Sequence, residues 1–394
     1  MLHFKKPGNA DYYDYNLIAV IILLIGFGLV MLYSTSAYRA GIRYNDDMYF
    51  FSKQATYAAA AIVIAVVISF CDYHILWNLS VLLYGVSFVL LILVRFTPLG
   101  RTINGARRWI AFGPVSFQAA EVSKIAVIVF LSVMITKMGK KFRPFKALLP
   151  PFAAGAAQAL AVFVFTSNLS TAIIILLITC AILFVAHPET KKMLLVFCGA
   201  VALAAAVAAI FVFGGVGGFR SMRILVWLHP EEYSTEGGYQ IMQALYALGS
   251  GGLFGKGLGN SMQKLGAVPE AENDMIFSII CEELGIFGGV IVVLLFIYLL
   301  YRLFFIAQNA PDLFGSLMVV GIFAHIASQV ILNISVVLNL IPTTGITLPF
   351  VSYGGTSVFL LMAEMAIALS VSMRIRFKTT RKDLWGEYEF EEEF

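Results

Sequence analysis

The residues of this sequence that could do chemistry are carboxylates and cations placed in or beside apolar stretches. Asp274 stands in Pro269–Phe277, where a polar segment gives way to an apolar run, and Glu282 and Glu283 follow about two helical turns further in. Helical spacing puts Asp274, Ser278 and Glu282 on one face. A column of acids entering an apolar environment is costly and marks a site. The plainer alternative for Asp274 is a helix N-cap or first-turn acid favoured by the helix dipole. In another apolar run Gln118, Glu121 and Lys124 recur every three residues, so the Glu and Lys side chains can meet. That pair either neutralises itself and fixes helix packing or lines a substrate cavity. His325, Gln329 and Asn333 form one polar stripe, suited to interhelical hydrogen bonding or to a proton relay. Glu364 is alone in its run and needs a partner in space, for which Lys124, Lys256 or a cavity are the candidates.

Cations gather in two polar segments. Arg101, Arg107 and Arg108 lie in Phe96–Ser116, and Arg220, Arg223, Lys256 and Lys264 lie in Gly214–Asn273. They suit anionic lipid headgroups or a phosphorylated ligand, because guanidinium forks match phosphate oxygens. The glycine-rich stretch Gly249–Gly259 permits tight turns but lacks the Lys-Ser/Thr ending of a phosphate loop. Cys71, Cys180, Cys198 and Cys281 have no metal-type spacing and read as small buried hydrophobes.

The elements that must position these residues are membrane spans. Of 394 residues, 60% are hydrophobic and 13% charged, with a mean hydropathy of +0.87; a chain this apolar has too little polar coat for water. A span needs about 20 apolar residues. About ten such runs occur: Leu17–Ser34, Ala55–Phe70, Leu76–Val94, Phe117–Thr136, Ala147–Phe165, Leu169–Ala186, Met193–Phe213, Met275–Phe305, Phe314–Leu338 and Thr356–Met373. The expected fold is an all-α, polytopic membrane helix bundle, one domain over residues 1–394. A large extracytoplasmic loop spans 214–273, with a short interfacial helix over Tyr239–Leu248, and a charged cytoplasmic tail spans 374–394. The first run is too long for a signal peptide and no small-residue cleavage site follows it. The larger share of basic residues in short loops and tails falls on the side of both termini, which places them in the cytoplasm. The net charge of +4 is explained by topology and gives no reason to expect nucleic acid as a partner.

Five stretches together resemble one family. Asn104-Gly105-Ala106-Arg107-Arg108-Trp109-Ile110 with Phe117-Gln118-Ala119-Ala120-Glu121-Val122-Ser123-Lys124 is similar to a pattern of the SEDS (shape, elongation, division and sporulation) proteins. So are Gly238–Ile241 through Gly249–Gly255, Asp274–Phe277 through Glu282–Gly285, and Pro342-Thr343-Thr344-Gly345-Ile346-Thr347-Leu348-Pro349-Phe350-Val351-Ser352-Tyr353-Gly354-Gly355-Thr356-Ser357. Gly257–Lys264 looks more like the FtsW and SpoVE branch than RodA. The sequence departs from the pattern at Ala119-Ala120, at Met275, and at Ser167–Thr171, where an acid of the family is missing.

The resemblance implies a peptidoglycan glycosyltransferase that polymerises lipid II at the outer face of the bacterial cytoplasmic membrane. It implies a class B penicillin-binding protein as partner, and other divisome or elongasome proteins as further candidates. Under that reading Asp274 is the catalytic carboxylate. Arg107, Arg108, Lys256 and Lys264 are candidates to stabilise the leaving pyrophosphate, and Gln118, Glu121, Lys124 and Glu282 are candidate substrate-binding residues. No cofactor is required; a divalent cation is a candidate to share the phosphate charge, although no ligand cluster demands one. A lipid II flippase and a non-catalytic scaffold of the cell-wall machinery are the alternatives.

Overall fold

The computed structural model describes residues 13–103, 106–112, 115–195, 219–233, 237–266 and 268–375. Within them the apolar runs form helices, because only intrahelical hydrogen bonds satisfy a backbone in lipid. These are α1 (Tyr15–Tyr44), α2 (Tyr49–Phe70), α3 (Ile75–Phe96), α4 (Ala119–Met138), α5 (Leu149–Thr166) and α6 (Leu169–Ala186). They continue with α7 (Phe219–Leu228), α8 (Tyr239–Gly251), α9 (Ile276–Asn309), α10 (Leu313–Val337) and α11 (Ser357–Ser372). Eight are long and apolar enough to cross a membrane, and α11 is a shorter apolar helix. The chain is therefore a polytopic helical membrane protein. Nine of the ten expected runs correspond to helices, while most of Met193–Phe213 lies outside the described residues.

The helices are not equivalent. Two-thirds (67%) of the most apolar stretch of α4 and of α10 is buried inside the protein, against 22% for α2 and α3. Thus α4 and α10 form the centre, packed on each other and both on α6, and α2 and α3 present most of their surface to lipid. The part-buried Glu121 and the buried Lys124 and His325 lie on those two central helices.

The segment Phe96–Ser116, expected as a polar loop, instead carries a small antiparallel sheet in the order β1 (Gly100–Ile103), β2 (Ala106–Phe112), β3 (Val115–Gln118). The pairing sets Trp109 opposite Gln118 and Ile110 opposite Phe117. The sheet feeds α4 directly, so α4 begins at Ala119 rather than Phe117. The end of the bundle with this sheet and with residues 219–275 is the outer end in the orientation expected from the basic residues, and the opposite end is the inner one.

A break inside α9 shapes the outer end. Gly285 has φ 69° and ψ −170°, a conformation open to glycine at no steric cost; a Cβ there would lie 2.3 Å from the Leu253 carbonyl oxygen. Helical bonding is lost around it, and the 252–257 segment replaces the missing partners. The Lys256 and Gly257 N–H groups donate to the Glu282 and Glu283 carbonyls at 3.0 and 2.9 Å. The Ile286 and Phe287 N–H groups donate to Gly252 and Leu253 at 3.0 and 3.2 Å. The glycine-rich stretch thus serves as a backbone plug for a broken helix.

At the inner end every acid of two clusters has a side-chain partner. Arg302 on α9 forms a two-pronged contact with buried Asp14, at 3.1 and 2.7 Å to Oδ2. Arg374 lies 3.5 Å from Asp72, and His74 contacts Asp72 at 2.7 Å and Asp312 at 3.1 Å. The Tyr73 hydroxyl also donates to Asp312. These contacts tie the α2–α3 turn to the start of α10 and the end of α11.

Candidate functional site

Asp274 does not belong to α9. The helix starts at Ile276 with Met275 as its cap residue and no side-chain capping bond. The N-cap reading is therefore corrected, as is the shared face with Ser278 and Glu282, because a turn precedes the helix here. What holds Asp274 is its backbone: its carbonyl accepts a 2.8 Å hydrogen bond from Asn333 Nδ2, which also donates to Ile346 O at 2.7 Å. One fully buried amide thereby fastens the Asp274 turn to the segment Pro342–Phe350. Ser352 Oγ donates to Asn273 O at 2.6 Å, and Tyr353 N–H donates to Glu272 O at 2.8 Å, closing the same seam.

The Asp274 side chain is left over. Its Oδ1 is buried with no hydrogen-bond partner. Its other oxygen faces Gly345, where an added Cβ would come to 3.9 Å. Gly345 has φ 68°, so a side chain there would be strained by the backbone, not by crowding. Burial, and then repulsion from Glu270 and Glu272, push the Asp274 carboxyl up from 3.8 to about 7, against a smaller opposing pull from Arg223. Burial also raises Glu272, although Arg39 contacts it at 2.6 Å. An acid near 7 can accept a proton at neutral pH.

Two guanidinium groups stand on β2 at the same outer end, and the region between the Asp274 turn and Arg108 is the mouth of the site. Arg108 and Arg107 alternate along β2, so their side chains leave opposite faces of the sheet. Arg107 turns to the end of α3, where it donates to the Thr97 carbonyl. Arg108 turns to the α5–α6 junction, donating to Ser167 O at 3.3 Å. Burial lowers the Arg108 pKa, and the nearby charge of Arg223 lowers it further. Arg223 itself donates to Thr343 O at 3.1 Å, and Ser170 Oγ donates to Thr344 O at 2.7 Å. The segment Thr343–Gly345 is thus a meeting point for α6, α7, α10 and the Asp274 turn. Two like charges held near one another beside buried polar atoms without partners, among them Arg108 Nε and Thr344 Oγ1, suit an anionic ligand.

The other acids of this region are spoken for. Glu282 accepts from Lys256 at 2.6 Å, from Ser261 Oγ, and from the Met262 N–H at 3.2 Å. Glu283 accepts from Lys264 at 2.8 Å and from Ser34 at 2.7 Å. Lys256 and Lys264 therefore sit in closed ion pairs that pin the 252–264 segment to the broken helix.

Deeper in the bundle, Lys124 and Glu121 form the expected pair at 2.8 Å, with side chains 2% and 12% accessible. Gln118 caps the sheet-to-helix junction above them with no side-chain capping bond. Of the stripe on α10 only His325 makes an interhelical contact, to Glu364 at 2.8 Å; Gln329 instead donates to Thr347 O at 3.1 Å, in a non-helical segment, as Asn333 does to Asp274 O and Ile346 O. Glu364 thus pairs with His325, and neither Lys124 nor Lys256 is its partner. His325 also lies within electrostatic reach of Glu121. Polar groups therefore run from the central pair up α10 to Asp274.

Sequence reasoning missed Thr343–Gly345 as a wall of the mouth, Asn333 as the tie beneath Asp274, and the closeness of Arg223 to Arg108. A Gly between Thr and Ile beside a proline was the available signal for the first. The Arg220 side chain, the tail beyond 375 and Cys198 lie outside the described residues. Cys71, Cys180 and Cys281 are free. Among the described residues no group of three or more His, Cys, Asp or Glu could hold a metal ion.

Comparison with known proteins places this geometry. A family model described as "Cell cycle protein", named for FtsW, RodA and SpoVE, matches residues 14–376. Stage V sporulation protein E of Bacillus subtilis (strain 168) is 38% identical, covering 92% of this chain and 98% of its own. A probable peptidoglycan glycosyltransferase FtsW of Geobacter sp. (strain M18) is 34% identical, covering 93% and 99%. Among solved structures, a chain from a peptidoglycan synthase complex, described for its coordination of polymerization and crosslinking, superposes with a TM-score of 0.76. It is 26% identical and the match covers 93% of this chain and 99% of that one.

Proposed function

This chain belongs to the FtsW/RodA/SpoVE family of cell cycle proteins and is a peptidoglycan glycosyltransferase, and we propose that Asp274 is the carboxylate on which its reaction turns. The substrate is lipid II, a disaccharide-peptide on a polyprenyl pyrophosphate. The polyprenyl tail lies along the lipid-facing spans, and the sugar reaches the mouth between Asp274 and Arg108. A hydroxyl of one disaccharide attacks the anomeric carbon of another. Asp274 takes the hydroxyl proton as the new C–O bond forms. The bond from the anomeric carbon to the pyrophosphate breaks, and the electron pair leaves with that group.

Charge builds on the pyrophosphate as it departs, and cations already in place stabilise it without reorganising. Arg108 takes this role, its Nε being buried without a hydrogen-bond partner, and the nearby charge of Arg223 adds to the positive field there. Lys256 and Lys264 already answer Glu282 and Glu283, and hold the wall of the mouth instead. Glu121, Lys124 and Gln118 form the floor.

The observation that carries this reading is the Asp274 carboxyl, held without a hydrogen-bond partner on Oδ1 and pushed up to about 7. Asp274→Asn tests it. The variant should express and fold normally, because no side-chain bond of Asp274 supports the fold. Its lipid II polymerisation should fall about a hundredfold or more. Polymerisation at the parental rate would remove Asp274 from the chemistry.

The protein sits in the bacterial cytoplasmic membrane with both termini inside, and a class B penicillin-binding protein cross-links what it polymerises. A cysteine replacing exposed Met262 should react with an impermeant thiol reagent in intact cells, and one replacing exposed Thr190 should not. The reverse pattern would put the mouth on the wrong side.

A further inference from the structure

The helix α8 carries a second feature that the mouth does not use. Its faces divide cleanly. Ile241, Ala244, Ala247 and Gly251 are buried, and α8 packs closely on α9. Tyr239, Met242, Gln243 and Tyr246 follow at i, i+3, i+4 and i+7, which puts them on one face. With Glu231 they line an open groove of about 400 Å³, within the range of small-molecule sites. Tyr239 and Tyr246 are 43% and 53% exposed. Large aromatic rings left in the open beside an amide and a carboxylate ask for an occupant with both apolar faces and hydroxyl groups. A sugar has both: C–H bonds on one face for a ring to stack on, and hydroxyls at its rim for Gln243 and Glu231.

Spacing narrows the choice to a chain of sugars. Seven helical residues separate the two tyrosines, roughly 10.5 Å along the axis, which is about the repeat at which a β-linked glycan shows the same sugar face again. Position agrees as well. Gln240, between the groove residues in sequence, reaches the Pro269 carbonyl at 3.5 Å, and Pro269 opens the turn that leads through Glu270 and Glu272 to Asp274. We propose that the α8 groove is a subsite for the growing glycan strand, with Tyr239 and Tyr246 stacking on alternate sugars. This rests on the glycosyltransferase reading and adds to it a place for the product outside the reacting mouth. A strand held there stays near Asp274 between additions, so the groove governs how many sugars are added before release.

The test separates binding from turnover. The full chain carrying Asp274→Asn is purified and titrated with uncross-linked, peptide-free glycan strands as the probe. Strands should bind, and Tyr246→Ala or Tyr239→Ala should weaken binding about fivefold to tenfold for each ring lost. Tyr246→Trp, which keeps an aromatic face, should retain it. In a background with Asp274 intact, Tyr246→Ala should form the first disaccharide–disaccharide bond at the parental rate yet yield shorter strands. Equal strand binding with and without the two rings would overturn the proposal, whatever the fate of Asp274 in its own assay. It would also fall if Tyr246→Trp in nanodiscs were quenched by phospholipid brominated on the acyl chains, because the face would then lie in the bilayer. Loss of polymerisation by Asp274→Asn together with unchanged strand binding in the tyrosine variants would sink this subsite and leave the mouth standing.

Discussion

The two ends of the bundle handle buried charge in opposite ways. At the inner end Asp14 meets Arg302, and Asp72, His74, Asp312 and Arg374 form one connected cluster. Except for the local Asp72–His74 contact, each joins elements distant in sequence, and the sum is a set of ties. At the outer end Glu282 and Glu283 are treated in the same manner by Lys256 and Lys264. A few residues away Asp274 is not, and Arg108 faces another arginine rather than an acid. A charge answered within the protein stabilises the fold and has nothing left to offer a ligand. A charge left unanswered costs stability and is retained where a ligand completes it. The difference separates holding residues from working residues better than burial does, since Asp14, Glu282 and Glu283 are buried as the Asp274 Oδ1 atom is, whereas Asp72 and His74 are exposed ties.

The contrast breaks first, and most heavily, at the ties. Arg302→Met strands Asp14 in a buried site, for which a loss of about 3–5 kcal/mol is expected. Folded yield in mild detergent should collapse, and the added change Asp14→Asn should recover much of it. Equal loss in the single and double variants would mean that the pair is not a tie. The pair Glu121 and Lys124 lets the same cycle be read twice. Glu121→Gln, Lys124→Met and the double variant are compared for folded yield and for lipid II turnover. Yield that returns in the double variant without turnover assigns the pair to the substrate as well as to the fold. If both return, only the tie remains.

The pH dependence of the reaction is next in size. A general base must be unprotonated, so with Asp274 near 7 turnover should rise about tenfold per pH unit below that value and level off above it. A profile flat from pH 5.5 to 8 would contradict the assignment. Stability should move the other way. The folded protein binds this proton more tightly than the unfolded chain, whose ordinary value is 3.8. The group therefore costs nothing below about pH 4, and stability falls as pH rises from there to about 7. Asp274→Asn should remove that loss, leaving the variant more heat-resistant than the parent at pH 8 in a detergent melt. A variant melting lower than the parent at pH 8 would show that the carboxylate is a tie after all.

The smallest effect is expected where a tie is partly wet. Arg39 is 43% exposed in its contact with Glu272, whose side chain is only 6% exposed, so Arg39→Ala should cost more than the roughly 0–1 kcal/mol of an exposed pair yet less than Arg302→Met, whose partner Asp14 is fully buried. A shift larger than Arg302→Met produces would overturn the ranking.

Much of this protein was legible without coordinates. The apolar runs had to be helices because lipid offers no other partner for a backbone, and nine of them are. The Glu121–Lys124 contact followed from spacing alone, since a helix brings i and i+3 together wherever it forms. Asp274 stood out as an acid at the edge of an apolar run. Its real setting did not follow, because it depends on where α9 starts and on Asn333, fifty-nine residues further along the chain. The sheet between α3 and α4 was equally hidden: strands of four, seven and four residues carry too little periodicity to announce themselves, and their pairing is fixed by the helices they join. The partners of Lys256, Lys264, Arg108 and Glu364 were decided by tertiary structure alone. Local spacing limits which residues can meet within one helix. Which cation reaches which acid across helices is set by packing, and here packing answers Glu282 and Glu283 and leaves Asp274 open.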